Sequence, residues 1–298
     1  MKVSIITATY NSSDTIKDTL KSVKQQSHSD IEHVIIDGAS TDDTLLQVTS
    51  FGHNDLVISE KDNGIYDAMN KGIKAASGDI IGILNSDDFY KDDSIIEKVV
   101  RIFEETGCDA VYGDLQIVHR QNVKMVVRKW VAGTYKPNDF YNGWMPPHPT
   151  VFVKKDVYEK YGGFNERFQS SSDYELLLRL MFVQKIKAEY LPEVMVKMRA
   201  GGQSNSSIRN RIAAHLEDYK AWQHNGISPK WYTLSMKPIR KVEQYRYAIM
   251  TRLAFPSFNI PSFGLTDLLH SALIPNQRVI ISYALLLTSL ISMTPFRN

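Results

Sequence analysis

The sequence predicts an α/β fold: a Rossmann-like, mostly parallel sheet flanked by helices, followed by a helical C-terminal extension. Three observations carry that reading. Short apolar strands alternate with amphipathic helices from residue 3 to residue 112. The strand segments are nearly uninterrupted apolar runs, the pattern of strands covered on both faces. Past residue 220 the chain turns basic, with eight Lys and Arg against only Glu243 and Asp267.

Taken in order, Val3-Ser4-Ile5-Ile6-Thr7 reads as a strand, broken by Tyr10-Asn11-Ser12-Ser13. Ile16, Leu20 and Val23 fall at i, i+4 and i+7 and predict a helix. Residues 33–36 form a second strand, with Asp37-Gly38-Ala39-Ser40 as its turn, and residues 56–59 a third. A helix over 65–76 follows, marked by Ile65, Met69, Gly72 and Ile73. Residues 80–84 make a fourth strand ending at Asn85-Ser86-Asp87-Asp88. Ile95, Val99, Ile102 and Phe103 mark the next helix, and 110–112 another strand. The middle of the chain is less regular. It holds the turn Trp144-Met145-Pro146-Pro147-His148-Pro149, a strand over 150–153, and a helix from Tyr174 to about Phe182 opened by Ser170-Ser171-Ser172-Asp173. The expected division is a first domain over 1–205 and an extension over 206–298.

Composition narrows the function. The 298 residues are 43% hydrophobic and 23% charged, which is ordinary globular usage. The single cysteine, Cys108, excludes a disulfide framework and a Cys-rich zinc site, and places the chain in a reducing, cytoplasmic compartment. Met1-Lys2 leads straight into the first strand, so no signal peptide is expected. Residues 1–220 carry a small acidic excess with no concentrated basic face, which argues against nucleic acid.

In parallel sheets, ligands bind at the carboxyl ends of the strands. Here those ends carry Thr9 and Asn11, Asp37, Glu60-Lys61-Asp62, and Asn85-Ser86-Asp87-Asp88. Grouped carboxylates at the last of these hold a divalent cation and through it a phosphate, or else cap the helix near Ser94. Asp37 accepts from a nucleobase or ribose, or closes its own turn. Asn70, a poor residue for a helix interior, points to a ligand or a buried hydrogen bond. Asp173 by spacing alone is a helix N-cap, and by chemistry a carboxylate poised to take a proton from a hydroxyl. His148, held among prolines, is a candidate metal ligand or phosphate contact.

The combined string resembles the family 2 glycosyltransferases, inverting enzymes of the GT-A fold. The matching motifs are Ser4-Ile5-Ile6-Thr7-Ala8-Thr9-Tyr10-Asn11, Ile36-Asp37-Gly38-Ala39-Ser40-Thr41-Asp42-Asp43-Thr44, Glu60-Lys61-Asp62-Asn63-Gly64-Ile65-Tyr66-Asp67-Ala68-Met69-Asn70-Lys71-Gly72, Leu84-Asn85-Ser86-Asp87-Asp88, Pro147-His148-Pro149-Thr150, Gly162-Gly163-Phe164 and Ser172-Asp173-Tyr174-Glu175. By this resemblance Thr7, Thr9 and Asn11 lie beside the nucleotide of a UDP-sugar. Asp37 contacts uracil or ribose, and Lys61 and Asp62 complete the cradle. Asn85-Ser86-Asp87 matches the Asp-x-Asp motif, with Asp87 on Mn²⁺ or Mg²⁺ and Asn85 departing from the usual first carboxylate. Asp173 matches the catalytic base, with Glu175 as the neighbouring alternative. No Gln-x-x-Arg-Trp string is present, so a single sugar is transferred. The resemblance is strongest to bacterial enzymes that build O-antigen and capsular polysaccharide, which implies a glycan acceptor on a polyprenyl diphosphate. Other readings fit less well. A sugar nucleotidyltransferase requires a glycine-rich basic loop, which residues 7–13 lack. A non-catalytic UDP-sugar-binding protein is suggested only by Asn85.

Two segments fall outside these motifs. The loop 201–207 is either a lid over the donor or a solvated connection. The basic, aromatic tail with its uncharged stretch over 279–296 is short for a membrane span. It suits packing on the protein, a dimer contact or peripheral docking on the inner leaflet.

Overall fold

The computed structural model describes residues 1–52, 55–201, 208–240 and 244. Nine strands make one sheet: β1 (Val3–Thr9), β2 (Ile31–Asp37), β3 (Leu56–Ser59), β4 (Ile80–Ile83), β5 (Phe89–Tyr90), β6 (Ala110–Val118), β7 (Val126–Trp130), β8 (Phe152–Lys154) and β9 (Ala188–Arg199). Their order is β3-β2-β1-β4-β8-β6-β9-β5, with β7 also paired to β6. The helices are α1 (Ile16–Lys24), α2 (Thr44–Phe51), α3 (Ile65–Ala75), α4 (Ile95–Thr106), α5 (Lys155–Tyr161), α6 (Ser172–Leu177) and α7 (Ile208–His224).

β1 is buried at all seven positions because both neighbours and both faces are covered. Side chains alternate across the sheet. Ile6 and Ala8 pack with Ala68 and Met69 of α3, while Val3 and Ile5 pack with Ile95 and Val99 of α4. α3 lies so close over β1 that a Cβ on Gly72 would stand 2.3 Å from Ile6 Cγ2. α1 and α2 cover Ile35 through Ile16, Leu20 and Val48.

The parallel character expected of the sheet holds over β3-β2-β1-β4, joined by βα crossovers. Beyond β4 the sheet is mixed. β8 runs antiparallel to both β4 and β6, β7 and β5 are antiparallel to their partners, and β6 and β9 are parallel. The sequence pattern hides β9, whose run Ala-Glu-Tyr-Leu-Pro-Glu-Val-Met-Val-Lys-Met-Arg has no clean alternation. Its register jumps from Leu191 to Val194 opposite Gly113 and Asp114, so Pro192 sits in a bulge where no ladder N–H is needed. The helix expected over 174–182 is two pieces: α6, then a π-helix over Leu178–Val183.

The chain after β9 returns to the core. Ala221 and Trp222 of α7 are buried, and the Trp222 indole N–H donates to the Tyr174 hydroxyl at 2.8 Å. A further helix runs over 233–240. The expected boundary at 205/206, most of the 201–207 loop and the tail from residue 245 lie outside the described residues. Among the described residues no helix is long and apolar enough to cross a membrane.

Candidate active site

Three parallel strands, β1, β2 and β4, end at the same edge of the sheet, and the loops after them are knitted together. Asn11 and Ala39 both adopt positive φ, +48° and +59°, a conformation that costs a residue with a side chain roughly 1–2 kcal/mol. Asn11 N–H donates to the Ser40 hydroxyl (2.9 Å), and its Oδ1 accepts from Thr41 N–H (2.9 Å). Asp37 is fully buried. Its carboxylate accepts from Ser40 N–H (3.0 Å), the Ser40 hydroxyl and the Ser59 hydroxyl (2.7 Å). Three of its roughly four acceptor positions are therefore filled from within. The carboxylate closes its own turn. Asp62 accepts from Gly64 N–H (2.9 Å) and packs on Gly38, where an added Cβ would lie 2.5 Å from Oδ2. Lys61 is exposed, and its carbonyl accepts from Lys71 Nζ at 3.2 Å. Tyr10, 59% exposed next to Gly38, forms an outer wall that sequence reasoning did not single out.

The β4 end has a different character. Thr9 Oγ1, Asn85 Oδ1 and Asp88 Oδ1 are buried without a hydrogen-bond partner among the described residues. An unpaired buried polar atom costs about 1–3 kcal/mol, and such atoms cluster where a ligand completes the site. Asp88 accepts from Asn85 Nδ2 at 3.2 Å; burial and the neighbouring Asp87 charge push its carboxyl well above the usual range, against the pull of Asn85 and of the Arg199 main-chain N–H and charge. Burial likewise raises Asp87, against the opposing pull of Arg120 and Arg199. Ser86 is tied by its hydroxyl to Ser12 at 2.8 Å. Of the four carboxylates before α4 that could cap it, Asp87, Asp88, Asp92 and Asp93, it is Asp92 that takes the Ser94 N–H (3.1 Å) and hydroxyl (2.8 Å), which leaves Asp87 and Asp88 without that task. Orphaned oxygens beside two buried carboxyl groups, whose charge burial penalises, fit a divalent cation that would offset that penalty. No group of three His, Cys, Asp or Glu converges among the described residues, so the protein would supply few ligands and the donor diphosphate the rest.

Asp173 lies in the first turn of α6, facing two groups from other elements. His148 Nδ1 is 3.3 Å from Oδ2, and the Tyr66 hydroxyl donates to Oδ1 at 3.4 Å. Burial raises this carboxyl, but His148, the Tyr174 N–H and the charge of Lys237 outweigh it, so the net shift is downward. Burial and the Asp173 charge push the Tyr66 phenol far up, so it stays a donor. This carboxylate remains ionised and keeps a fifth of its side-chain surface open, as a proton acceptor must.

Several expected site residues do other work. Thr7 is fully buried with its hydroxyl 3.0 Å from His33 Nε2, inside the sheet layer, and has no face for a nucleotide. Asn70 resolves to the buried hydrogen bond. Its Oδ1 accepts from Phe164 N–H (2.8 Å), and its Nδ2 donates to Phe164 O (2.9 Å) and Glu166 Oε1 (2.8 Å). That contact also explains Gly163, whose Cβ would stand 2.4 Å from Asn70 Oδ1. His148 serves Asp173 and joins no metal-ligating cluster with Asp87 and Asp88. Glu175 is fully buried, held by Arg179 (Nε–Oε1 2.9 Å) and Asn225 (3.0 Å), which removes it as an alternative base. Arg179 in turn donates to the carbonyls of Tyr161, Gly162 (3.1 Å) and Gly163 (2.6 Å), locking α6 to the preceding glycine turn. Arg199, which the motifs did not include, reaches from β9 to the Asp87 carbonyl at 2.7 Å.

Residues 4–162 match the model of Glycosyl transferase family 2, more than half of the chain. The chain belongs to glycosyl transferase family 2. A PGL/p-HBAD biosynthesis glycosyltransferase of Mycobacterium bovis is 28% identical over 219 residues, covering 72% of this chain and 83% of the relative. An uncharacterized glycosyltransferase of Mycobacterium tuberculosis is 31% identical over 195 residues, 61% of this chain and 69% of the relative. Among solved structures, S. aureus TarS 1–349 in complex with UDP-GlcNAc superposes with a TM-score of 0.58 at 16% identity, over 86% of this chain and 73% of that 1–349 chain. The mannosyltransferase PcManGT of Pyrobaculum calidifontis, in complex with GDP-Man and Mn²⁺, gives 0.55 at 19%, over 89% and 78%. The fold of this family 2 glycosyltransferase is thus of the GT-A type, a mixed α/β sheet flanked by helices.

Proposed function

We propose that this glycosyltransferase moves a single hexose from a UDP-sugar, UDP-glucose or UDP-galactose, to a hydroxyl of a glycan carried on a polyprenyl diphosphate, with inversion, in bacterial surface-polysaccharide synthesis at the inner face of the membrane. The observation that carries it is the pairing of an ionised, oriented carboxylate, Asp173, with a separate strand-end pocket containing unpaired oxygens. An inverting transfer needs both: a base for the acceptor hydroxyl and a site for the departing diphosphate.

Donor binding falls to the ends of β1, β2, β3 and β4, with Asn11, Asp37, Lys61 and Asp62 around the nucleoside and Thr9, Asn85 and Ser86 toward the sugar-phosphate. Mn²⁺ or Mg²⁺, when bound at Asp87, supplies positive charge to the leaving diphosphate. Asp173 takes the proton as the acceptor oxygen attacks the anomeric carbon and the bond to UDP breaks. His148 and Tyr66 hold its carboxylate in place from opposite oxygens. Displacement from an α-linked donor leaves a β-linkage.

The test is a thermal-shift panel of UDP-sugars and GDP-mannose, each with and without Mn²⁺. A ligand at 100 times its Kd stabilises by about 2.7 kcal/mol. A Mn²⁺-dependent shift with one UDP-hexose, followed by transfer from that donor in labelled form, is the expected result. A shift only with GDP-mannose, or binding without transfer to a lipid-linked glycan, overturns the donor or the catalytic reading respectively.

A further inference from the structure

We propose that Arg199 is the positioning residue of the cation site. Its guanidinium holds the main chain of Asp87 so that the Asp87 carboxylate stays free to bind a divalent cation together with a nucleoside diphosphate. The inference rests on the donor-site reading above and concerns a residue of β9, beyond the span matched by the family model.

The geometry is specific. Arg199 is 5% exposed at the last position of β9. Nη1 donates to the Asp87 carbonyl at 2.7 Å, Nη2 pairs with the Asp18 carboxylate of α1, and the guanidinium stands 5.0 Å from the Phe89 ring centroid. A guanidinium taken out of water is retained only where its donors are filled. The guanidinium bonds to a carbonyl and to Asp18, and acts on the Asp87 and Asp88 carboxyls only through its charge. Thr19 completes the arrangement from α1, donating to the Asp88 carbonyl at 2.7 Å, and Ser12 ties Ser86 from the β1 loop at 2.8 Å. Residues 86, 87 and 88 are thus pinned by side chain or main chain from three elements, while Asn85 Oδ1 and Asp88 Oδ1 stay unpaired beside them. That is a cradle fixed at its backbone and open at its oxygens.

A lysine cannot reproduce this, because one ammonium does not span a carbonyl and a carboxylate with a planar fork. Groups that orient metal ligands typically change metal affinity by about 10–100-fold when removed.

The experiment titrates Mn²⁺, followed by its EPR signal, into the full-length protein saturated with UDP. It compares wild type, Arg199→Met, Arg199→Lys and Asp18→Asn, and measures UDP affinity separately in EDTA. The expected result is a Mn²⁺ Kd raised about 10–100-fold in Arg199→Met and not restored in Arg199→Lys, with metal-free UDP affinity within about twofold of wild type. Asp18 is 56% exposed at its side chain, so Asp18→Asn folds even where Arg199→Met does not, and it weakens Mn²⁺ in the same direction, by less than Arg199→Met, through loss of one anchor. Unchanged Mn²⁺ affinity in the folded variants, or an equal loss of UDP affinity in EDTA, overturns the positioning role. Absence of Mn²⁺ binding in the wild type itself overturns the cation-site reading beneath it, and is a separate outcome.

Discussion

Replacing Arg179 with methionine keeps an unbranched stem of similar length and removes every donor at its end. Glu175, with no exposed surface, would lose its cation and keep only the Asn225 amide at 3.0 Å. Breaking one side of a buried ion pair costs about 3–5 kcal/mol, because the remaining charge is left in a medium that cannot solvate it. The carbonyls of Tyr161, Gly162 and Gly163 would each lose a charged donor as well. At about 2–4 °C per kcal/mol for a domain of this size, the melting temperature should fall by roughly 6–20 °C. Circular dichroism with temperature measures it. The double variant Glu175→Leu/Arg179→Met should recover most of the loss, since removing both charges removes the desolvation penalty. A fall below about 2 °C in the single variant, outside the range expected for a broken buried pair, would refute the assignment. So would a double variant no better than the single one. Below its melting point Arg179→Met should bind UDP normally yet turn over slowly, because α6 carries Asp173, the proposed base, and the proposed donor loops lie elsewhere.

Asp173→Asn should lower kcat by about 10²–10⁴ with UDP affinity unchanged, and a variant of near-normal turnover would remove Asp173 as base. In His148→Gln the Asp173 carboxyl loses a group that holds it down, so its pKa rises and the acid limb of the kcat–pH profile should move to higher pH. Glu32 is stabilising in a different way. Its burial raises the carboxyl, but the hydroxyls of Ser4 and Ser77, the Ser77 N–H and Lys2 bring it from the ordinary 4.5 down to about 2. A depressed carboxyl contributes stability above the unfolded pKa that disappears as pH falls through the folded one, here between about 4.5 and about 2. Up to about 3 kcal/mol is involved, so Glu32→Gln should flatten the acid limb of urea denaturation midpoints in that window. Gly38→Ala drives a Cβ to 2.5 Å from Asp62 Oδ2, and isothermal titration should show UDP binding weakened by about tenfold, the size of one lost charged hydrogen bond.

What the sequence makes legible follows the range of the interactions involved. Most strands and helices of residues 3–106 announce themselves because each needs only its own apolar period, and β3 and α4 fall where that period puts them, whereas α2 and the two-residue β5 show no such period. Strand-end placement located Asp37, Asn85 and Asp87. The failures come where a side chain's partner is far along the chain. Asn70 looks functional because an amide inside a helix is costly, and the partner that satisfies it, Phe164, lies 94 residues away. Thr7 alternates onto the face that meets His33, 26 residues on, a pairing no local pattern encodes. β9 went unread because its pairing with β6, not its own alternation, makes it a strand. Arg199 lies at the end of that strand and was lost with it.

The Asp18–Arg199 bond spans 181 residues, and Tyr66 meets Asp173 across 107. The strands around the nucleotide pocket, by contrast, close through local βα crossovers within the first 83 residues. On the ribosome the two halves therefore mature at different times. The first four parallel strands can form while the rest of the chain is still in synthesis, but Asp173 cannot meet Tyr66 and His148 until α6 has emerged, nor Arg199 reach Asp87 and Asp18 until β9 has. Late closure of long loops is the slow step in folding. A nascent chain can thus hold the ends of β1, β2 and β4 in place well before Asp173 reaches Tyr66 and His148.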